Sequence, residues 1–237
     1  MQAIVPAAGR GTRLRPLTDD RPKGLVEVAG KPILTHCFES LLAAGVDDIV
    51  VVVGYRGEDI VDYYGDDFRG VSLTYAWQTE QLGLGHAVST AEAHVSGDVV
   101  VWNGDNVGEV NLSETVEHHR RTDAATTLLV DEVSRERAGE GAVFVLEDDE
   151  LVGLVEKPDE PPSTVIPRGV YVFSERIFDA LAGVEPSARG EYELTDAIDA
   201  LFDEAARVEV VDLEGWLLNV NTAADVTEGT RRIGASE

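Results

Sequence analysis

Lysine is almost missing from this chain of 237 residues, which has three lysines and sixteen arginines. Aspartate and glutamate number 45 against 19 for lysine and arginine, so the formal net charge is −26. A field of this sign repels nucleic acid and anionic membranes, and it excludes the proteins that bind polyanions over a broad surface. We expect a solvated acidic surface adapted to high salt, where the repulsion between charges is screened over short distances.

Cysteine, long apolar runs and metal-type histidine patterns are also scarce. The one cysteine, Cys37, excludes an internal disulfide and falls on the apolar face of a predicted helix. No apolar run approaches membrane length and no N-terminal signal peptide is visible, so we expect a cytoplasmic protein without a membrane partner. The five histidines show no metal-ligand spacing.

The order of the segments is typical of a doubly wound α/β fold. The continuous apolar run Asp48–Val53 suits a parallel strand buried on both faces, and the preceding residues 33–42 have helical spacing. Helical and extended patterns then alternate, which predicts a mostly parallel sheet with right-handed crossovers in one domain, residues 1–237. The predicted helices are 58–64 and 84–95, and the predicted strands are 73–77 and 99–102.

The last part of the chain is richer in strands. Residues 126–130, 143–146, 151–156 and 170–173 read as strands, and we expect them to form a lobe beside the sheet rather than a separate domain. The acidic run 147–150 joins two of these strands. It is interpreted as a solvated hairpin tip, with a metal cluster as the alternative.

A glycine segment directly after the first strand predicts a polyphosphate site. Strand residues 2–5 lead into residues 7–18, called here the N-terminal glycine segment, which contains Gly9, Gly11 and Arg13, with Lys23 following. The glycines let backbone N–H groups approach a phosphate, and the two cations supply a forked and a compact positive charge. Walker A spacing is absent, and Leu14 stands where a dinucleotide fingerprint has its third glycine. The alternative is an arginine-rich surface turn.

This segment, with Pro22–Lys23 following, resembles the signature of the sugar-1-phosphate nucleotidyltransferases. The resemblance implies a Rossmann-like nucleotidyltransferase fold and extends over nearly the whole chain. It implies that Arg13 holds the leaving pyrophosphate and that Lys23 faces the reacting phosphates. It also implies nucleotide contacts from the segment's small residues, which are Ala8, Gly9, Gly11 and Thr12.

The stretch 78–87 predicts recognition of a base. The Gln78 amide can donate to and accept from a uracil or thymine ring, and Gly83 allows a flat base to approach the backbone. The stretch resembles the uridine-reading motif of the uridylyltransferases, in particular those that act on N-acetylglucosamine 1-phosphate. The alternative is a glycine-flanked helix start with Gln78 facing solvent.

Asp105 is the predicted metal ligand. The sequence Asn103-Gly104-Asp105 follows a buried strand, where a carboxylate lies at the ligand-binding edge of a parallel sheet and suits Mg²⁺. In the family a magnesium ligand stands here, and Gly104 borders the nucleotide. A second ligand is an Asp near the family's C-terminal end. Asn219 occupies that place in this chain, and Asn221 is the alternate.

The sugar phosphate is assigned to Glu156 and Lys157, again from the resemblance. In the family this Glu holds sugar hydroxyls and this Lys holds the sugar phosphate, while glycines corresponding to Gly141 and Gly169 let the sugar approach the backbone in the β-rich sugar-binding lobe. The alternative for the Glu156–Lys157 pair is a local ion pair. The family often has Asn where Pro167 stands, so the identity of the sugar is left open.

These patterns together predict an enzyme that transfers a nucleoside monophosphate from UTP or dTTP to a hexose 1-phosphate, with glucose 1-phosphate favoured. Arg13, Lys23, Asp105 and Lys157 are the predicted catalytic residues, and no base is needed because the sugar phosphate is already anionic. The alternatives are a guanylyl- or cytidylyltransferase, a catalytically silent nucleotide-sugar-binding module and a nicotinamide oxidoreductase. The oligomeric state is left open, a homo-oligomer included.

Overall fold

The helices and strands of this chain are taken from a computed structural model that describes residues 1–148, 150–203 and 206–236. The strands are β1 (Gln2–Pro6), β2 (Glu27–Val28), β3 (Lys31–Pro32), β4 (Asp48–Val53), β5 (Asp67–Phe68), β6 (Val71–Trp77), β7 (Val99–Trp102), β8 (Asn106–Val110), β9 (Thr126–Glu132), β10 (Ala142–Glu147), β11 (Glu150–Glu156), β12 (Val165–Phe173), β13 (Val208–Asp212) and β14 (Gly215–Asn219). The α-helices are α1 (Ile33–Ala43), α2 (Gly57–Tyr64), α3 (Leu84–Thr90), α4 (Leu112–Thr122), α5 (Arg135–Ala138), α6 (Arg176–Gly183), α7 (Leu194–Asp203) and α8 (Ala223–Ser236). None of the helices in these ranges is long and apolar enough to cross a membrane.

A mixed eight-stranded sheet forms the centre, in the order β13-β9-β12-β7-β1-β4-β6-β5. Strands β7, β1, β4 and β6 are parallel neighbours, which places their carboxyl ends at one edge. Strand β12 runs antiparallel between β7 and β9. Strands β4 and β7 are short valine-rich runs, as expected for parallel strands whose two faces are covered by helices.

The core lies on both faces of this sheet. Alternate residues of one strand point to opposite faces, so Val50 and Val52 pack with α3, α6 and α7, while Ile49 and Val51 pack with α1, α2 and α4. Cys37 lies fully buried in the second cluster, and burial raises the pKa of its thiol well above the usual value. The predicted doubly wound arrangement is therefore confirmed.

The strand-rich C-terminal part differs from the expectation in one respect. Strands β9 and β12, expected in the lobe, belong to the central sheet, and β10 and β11 pair only with each other as a hairpin. Residues 170–173 are all buried, so both faces of this part of β12 are covered. These residues therefore belong to the core of the central sheet and not to a lobe. The hairpin tip falls where expected between Glu147 and Glu150, although Asp149 lies outside the described residues.

Helix α3 is also shorter than its sequence pattern predicted. It ends at Thr90, and a 3₁₀ turn over Glu92–His94 completes the stretch that was expected to be helical as far as residue 95. The N-terminal glycine segment contains no α-helix, as its prolines predicted, and its residues Thr12–Leu14 form a single 3₁₀ turn.

Two glycines bring the carboxyl ends of the strands close enough to share one site. A Cβ atom on Gly54, after β4, would lie 2.8 Å from the carbonyl oxygen of Gln78 and 2.9 Å from Cβ of Ala8. A Cβ atom on Gly104, after β7, would lie 2.6 Å from the carbonyl oxygen of Pro6. The loops after β1, β6 and β7 therefore converge because these positions carry no side chain.

Candidate active site

A cavity of about 410 Å³ opens where the loops after β1, β6 and β7 meet. It contains the predicted phosphate, metal and base residues together: the residues from the predictions that line it are Ala8, Gly9, Gly11, Thr12, Arg13, Lys23, Gln78, Gly83, Gly104, Asp105 and Asn221. The remaining predicted residues, Gly141, Glu156, Lys157, Gly169 and Asn219, lie outside its lining. The nucleotide half of the prediction thus converges on one cavity.

Gly11 positions Lys23 against the N-terminal glycine segment. Gly11 has a positive φ of 60°, and a Cβ atom there would lie 2.9 Å from Cβ of Lys23. The hydroxyl of Thr18 donates to the carbonyl oxygen of Gly11 at 2.9 Å, which fixes the turn. The lysine therefore runs alongside the turn and reaches the cavity from its floor.

A network of charged and amide groups crosses this floor. The ammonium of Lys23 donates to Oδ2 of Asp105 at 2.7 Å and to Oδ1 of Asn221 at 2.9 Å. The guanidinium of Arg13 donates to the same Asn221 oxygen at 2.9 Å. The amide of Asn219 donates to Oδ1 of Asp105 at 3.0 Å, and its own oxygen accepts from Asn221. Lys23 thus contacts Asp105 directly, and Arg13 joins the same network through Asn221.

The carboxylate and amide oxygens around Asp105 fit a hard divalent cation that takes its remaining ligands from phosphate and water. In the described ranges no group of three His, Cys, Asp or Glu side chains is placed to hold a metal ion. One carboxylate with neighbouring amide oxygens is the arrangement that Mg²⁺ accepts when phosphate oxygens and water complete its shell. Of the two amides, only Asn221 lines the cavity, whereas Asn219 donates to Asp105 from outside the lining.

The side-chain amide of Gln78, which was predicted to recognise a base, differs from the sequence expectation. Gln78 is buried, and its Nε2 atom donates to the carbonyl oxygen of Gly83 at 3.1 Å and to Nδ1 of His86 at 2.9 Å. Both of its N–H groups are therefore used within the protein. The prediction that this amide both donates to and accepts from a base is therefore wrong for its N–H groups, and only its oxygen remains for a base.

Tyr192 joins the stretch 78–87, which was predicted to recognise a base, to the segment before α7. Its N–H donates to the carbonyl oxygen of Leu82 at 2.7 Å, and its carbonyl oxygen accepts from the N–H of Gly85 at 2.9 Å. The approach is close: a Cβ atom on Gly83 would lie 2.7 Å from the carbonyl oxygen of Tyr192. Glu191, the preceding residue, lines the cavity, so this segment forms one wall of the site.

Glu156 lies in a second polar cluster next to this wall. Its Oε2 atom accepts from the hydroxyl of Thr195 at 2.9 Å, and its Oε1 atom lies 3.4 Å from the ammonium of Lys157 and 3.5 Å from the guanidinium of Arg189. Arg189 also binds Glu193 at 2.6 Å, and the pKa of Arg189 is raised, mainly through this hydrogen bond. The predicted sugar-binding carboxylate is thus held by a cation and a hydroxyl.

Lys157 has an uncommon backbone conformation. Its φ is 45°, in the left-handed region that non-glycine residues rarely adopt, and its N–H donates to the carbonyl oxygen of Gly141 at 2.9 Å. This bond holds the predicted residues Gly141 and Lys157 next to each other.

Gly169 makes a close approach to two asparagines after β7. A Cβ atom there would lie 2.6 Å from Nδ2 of Asn106 and 2.7 Å from Nδ2 of Asn103. Asn103 lines the cavity, and its Oδ1 atom is buried without a hydrogen-bond partner in the structure. Gly169 therefore borders the floor residues from the side of β12, although it does not line the cavity itself.

Sequence reasoning missed several polar residues at this site. Gln81 lines the cavity and donates to the carbonyl oxygen of Ala8 at 3.0 Å, and His86 contacts Gln78. Asn103 and Arg189 were also not predicted. Gln81, His86 and Asn103 all stand within the motifs that were recognised, so the signal was their position beside a predicted site residue.

A glycine-rich loop, two cations, a carboxylate and a buried amide meet at the carboxyl edge of a doubly wound sheet, which is where sheets of this kind bind nucleotides. The chain belongs to the nucleotidyl transferase family, whose model matches residues 2–228. Nucleotidyltransferases of this family generally use a divalent metal ion.

Two relatives and one solved structure describe the similarity further. The chain is 46% identical over 234 residues to the UTP–glucose-1-phosphate uridylyltransferase AglF of Haloferax volcanii. The aligned region covers 98% of this chain and 96% of AglF. The chain is also 38% identical over 238 residues to the glucose-1-phosphate thymidylyltransferase of Streptomyces antibioticus, covering 98% of this chain and 66% of that protein. A UDP-glucose pyrophosphorylase solved with UDP-glucose shares the fold, with a TM-score of 0.90, 22% identity and coverage of 100% and 99% of the two chains.

Proposed function

We propose that this protein transfers a nucleoside monophosphate from UTP or dTTP to a hexose 1-phosphate, with glucose 1-phosphate favoured, and releases pyrophosphate. The relatives named for this reaction, one a uridylyltransferase and one a thymidylyltransferase, support the proposal. We also infer that residues 1–237 act as one nucleotidyltransferase domain, in support of which the family model matches most of the chain.

The observation that carries the proposal is the meeting of three motifs in one cavity. Arg13 lies in the N-terminal glycine segment and Lys23 follows it, Asp105 follows β7, and Gln78 follows β6, yet all four line the same 410 Å³ cavity. A triphosphate needs cations close to a metal ligand, and a nucleotide needs a base site within reach of both. The alternative, an arginine-rich surface turn, would not require these residues to line one cavity with a carboxylate and an amide.

The reaction is an in-line displacement at the α-phosphorus of the nucleotide. An oxygen of the sugar phosphate forms the new P–O bond, and the bond from the α-phosphorus to the bridging oxygen breaks, with its electron pair leaving on pyrophosphate. Because the nucleophile is already anionic near neutral pH, no general base is required. Catalysis then rests on positioning and charge neutralisation.

We assign the cations to the successive phosphates. Arg13 binds the departing pyrophosphate through its forked N–H groups, and Lys23 neutralises the phosphate under attack. Lys157 orients the phosphate of the sugar, while Glu156 accepts hydrogen bonds from sugar hydroxyls. In support of the last role, Glu156 is already held by Thr195 and Lys157, which leaves it few alternative orientations.

We propose Mg²⁺ as the metal ion, held by Asp105 together with Asn219 or, as the alternate, Asn221. The bound ion would supply charge neutralisation of the phosphate oxygens. The small number of carboxylates supports magnesium, which keeps waters and phosphate oxygens in its shell. The position of Asn221 in the cavity lining supports the alternate residue.

The test is pyrophosphate release from a matrix of nucleoside triphosphates and hexose 1-phosphates, run at high salt with magnesium. We expect turnover with UTP or dTTP and glucose 1-phosphate. A silent binding module would bind nucleotide sugars and release no pyrophosphate, and turnover confined to GTP or CTP would contradict the base assignment.

A lysine pair gives the matched control for the catalytic assignment. Lys23→Ala should lower kcat by about 10²-fold or more while the affinity for the sugar phosphate changes little, because its charge acts on the phosphate under attack. Lys31→Ala, which removes an exposed ammonium paired with Glu39, should retain turnover. Near-native activity of the Lys23 variant would refute the assigned role.

A further inference from the structure

The base-side amide has its orientation fixed by two neighbours. Nε2 of Gln78 lies 3.1 Å from the carbonyl oxygen of Gly83 and 2.9 Å from Nδ1 of His86. A carbonyl oxygen can only accept, so the Gln78 atom that faces it must be the nitrogen. Nδ1 of His86 must then be the unprotonated acceptor, with the proton of the neutral ring on Nε2.

His86 is itself held in place. It lies in the first turn of α3, its carbonyl oxygen accepts from the hydroxyl of Thr90 at 2.7 Å, and its ring lies 6.2 Å from the ring of Tyr192. Tyr192 is joined to the same loop through the main-chain bonds with Leu82 and Gly85. The main chain of His86 is thus fixed in α3, and the 2.9 Å contact places its Nδ1 atom against the Gln78 amide.

We propose that His86 is a positioning residue for base selection: it holds the Gln78 amide so that Oε1, an acceptor, is the atom offered to the base. This inference rests on the proposed function. An acceptor at this place favours pyrimidines whose ring nitrogen N3 carries a hydrogen, as in uracil and thymine. It disfavours cytosine, whose N3 is an acceptor and would face Oε1 with two lone pairs opposed.

Without the imidazole acceptor, one of the two anchors of the amide is lost. The amide then turns more easily about its last torsion and presents its NH₂ group, which suits the N3 atom of cytosine. His86 thus acts through Gln78 on the choice of base and not on the transfer step.

The experiment measures the affinities of UTP and CTP in the absence of sugar phosphate, by titration calorimetry at high salt with magnesium. His86→Leu removes the acceptor and should reduce the UTP-over-CTP preference by about tenfold, the value of one positioned hydrogen bond. His86→Asn places an amide oxygen near the Nδ1 position and should restore the preference. His94→Leu, at an exposed histidine in the turn after α3, should leave it unchanged.

Two results would overturn the inference. One is an unchanged preference in a folded His86→Leu variant that binds UTP. The other is a nitrogen-15 spectrum of the wild type in which His86, assigned by its loss in His86→Asn, carries its proton on Nδ1; this measurement also decides the case if His86→Leu does not fold. A wild type that releases pyrophosphate but prefers CTP would overturn the base inference alone, whereas a wild type without turnover would count against the proposed function.

Discussion

The ammonium of Lys23 lies 2.7 Å from the Asp105 carboxylate, and the two side chains are 14% and 29% exposed. The carboxylate that we propose as the metal ligand is therefore neutralised by a protein cation at short range. A divalent ion that binds Asp105 must share or displace this contact. Displacement would release the ammonium towards the phosphates, which links metal binding to the positioning of Lys23.

Removal of this competing charge should strengthen metal binding. Lys23→Met is expected to raise the Mg²⁺ affinity without nucleotide by about tenfold, since relief of about 1.4 kcal/mol of charge competition gives that factor. Calorimetric titration with MgCl₂ measures it. Lys31→Met is the matched control and should leave the affinity unchanged. A weaker metal affinity in Lys23→Met would mean that the lysine supports the site rather than competing for it.

A side chain at Gly54 should separate the loops of the site. The Cβ atom of Gly54→Ala would fall within 3 Å of atoms of Gln78 and Ala8, so we expect a loss of about 2 kcal/mol in the free energy of unfolding and a raised KM for the nucleotide. Urea unfolding and steady-state kinetics measure the two effects. Gly183→Ala, where a Cβ atom would meet nothing within 4 Å, is the control. Equal stability of the two variants would contradict the close approach.

Stability should fall in mild acid because of His119. Burial lowers the pKa of this ring below its usual 6.5, partly offset by Asp98, and the ring bonds the hydroxyl of Thr127 at 3.0 Å. Above pH 6.5 the ring is neutral in both states, and stability is not affected. As the pH falls through 6.5 towards the lowered pKa of the folded state, the unfolded chain binds the proton first, so stability is lost.

Thermal melts at fixed salt across this range test the expectation. His119→Gln should flatten the decline between neutral pH and pH 5–6, where histidine titrates, whereas His94→Gln at an exposed site should keep the wild-type slope. An identical slope in the His119 variant would assign the acid sensitivity to other groups.

The charge excess predicts dependence on salt. With a net charge of −26, the melting temperature should rise steeply from low salt to about 1 M KCl, where the Debye length is ~3 Å. The halophilic source of the relative AglF agrees with this expectation. Sucrose at matched water activity is the control, because it leaves the charges unscreened. Full stability in dilute buffer would contradict a salt-adapted surface.

Local patterns predicted much of the fold and of the nucleotide half of the site. The apolar run Asp48–Val53 predicted a buried strand, and the helical spacing of apolar residues predicted α1, because in both cases the pattern lies within a few neighbouring residues. The glycine and cation motifs after β1 and the carboxylate after β7 follow strands, and the sheet topology brings them together. The pairing of β12 between β7 and β9 joins residues far apart in the chain, which no local pattern contains.

Side-chain orientation was the least predictable part of the site. The type of residue at Gln78 indicates that it can donate and accept, but only the positions of Gly83 and His86 decide which atoms are already used. The contacts of Glu156 with Thr195 and Arg189 likewise join separate segments. Such choices depend on three-dimensional neighbours that the order of residues does not reveal.

The Tyr192 bridge limits how this enzyme could be re-engineered. Its two bonds run between main-chain atoms of Leu82, Gly85 and Tyr192, and they depend on Gly83 and Gly85 having no side chain, because a Cβ atom at either would lie within 3 Å of the Tyr192 carbonyl oxygen. The loop beside the base and the segment that leads to Glu193 and Thr195 therefore keep a common register. A transplant that aims to change the sugar accepted would need to carry both segments together as one unit.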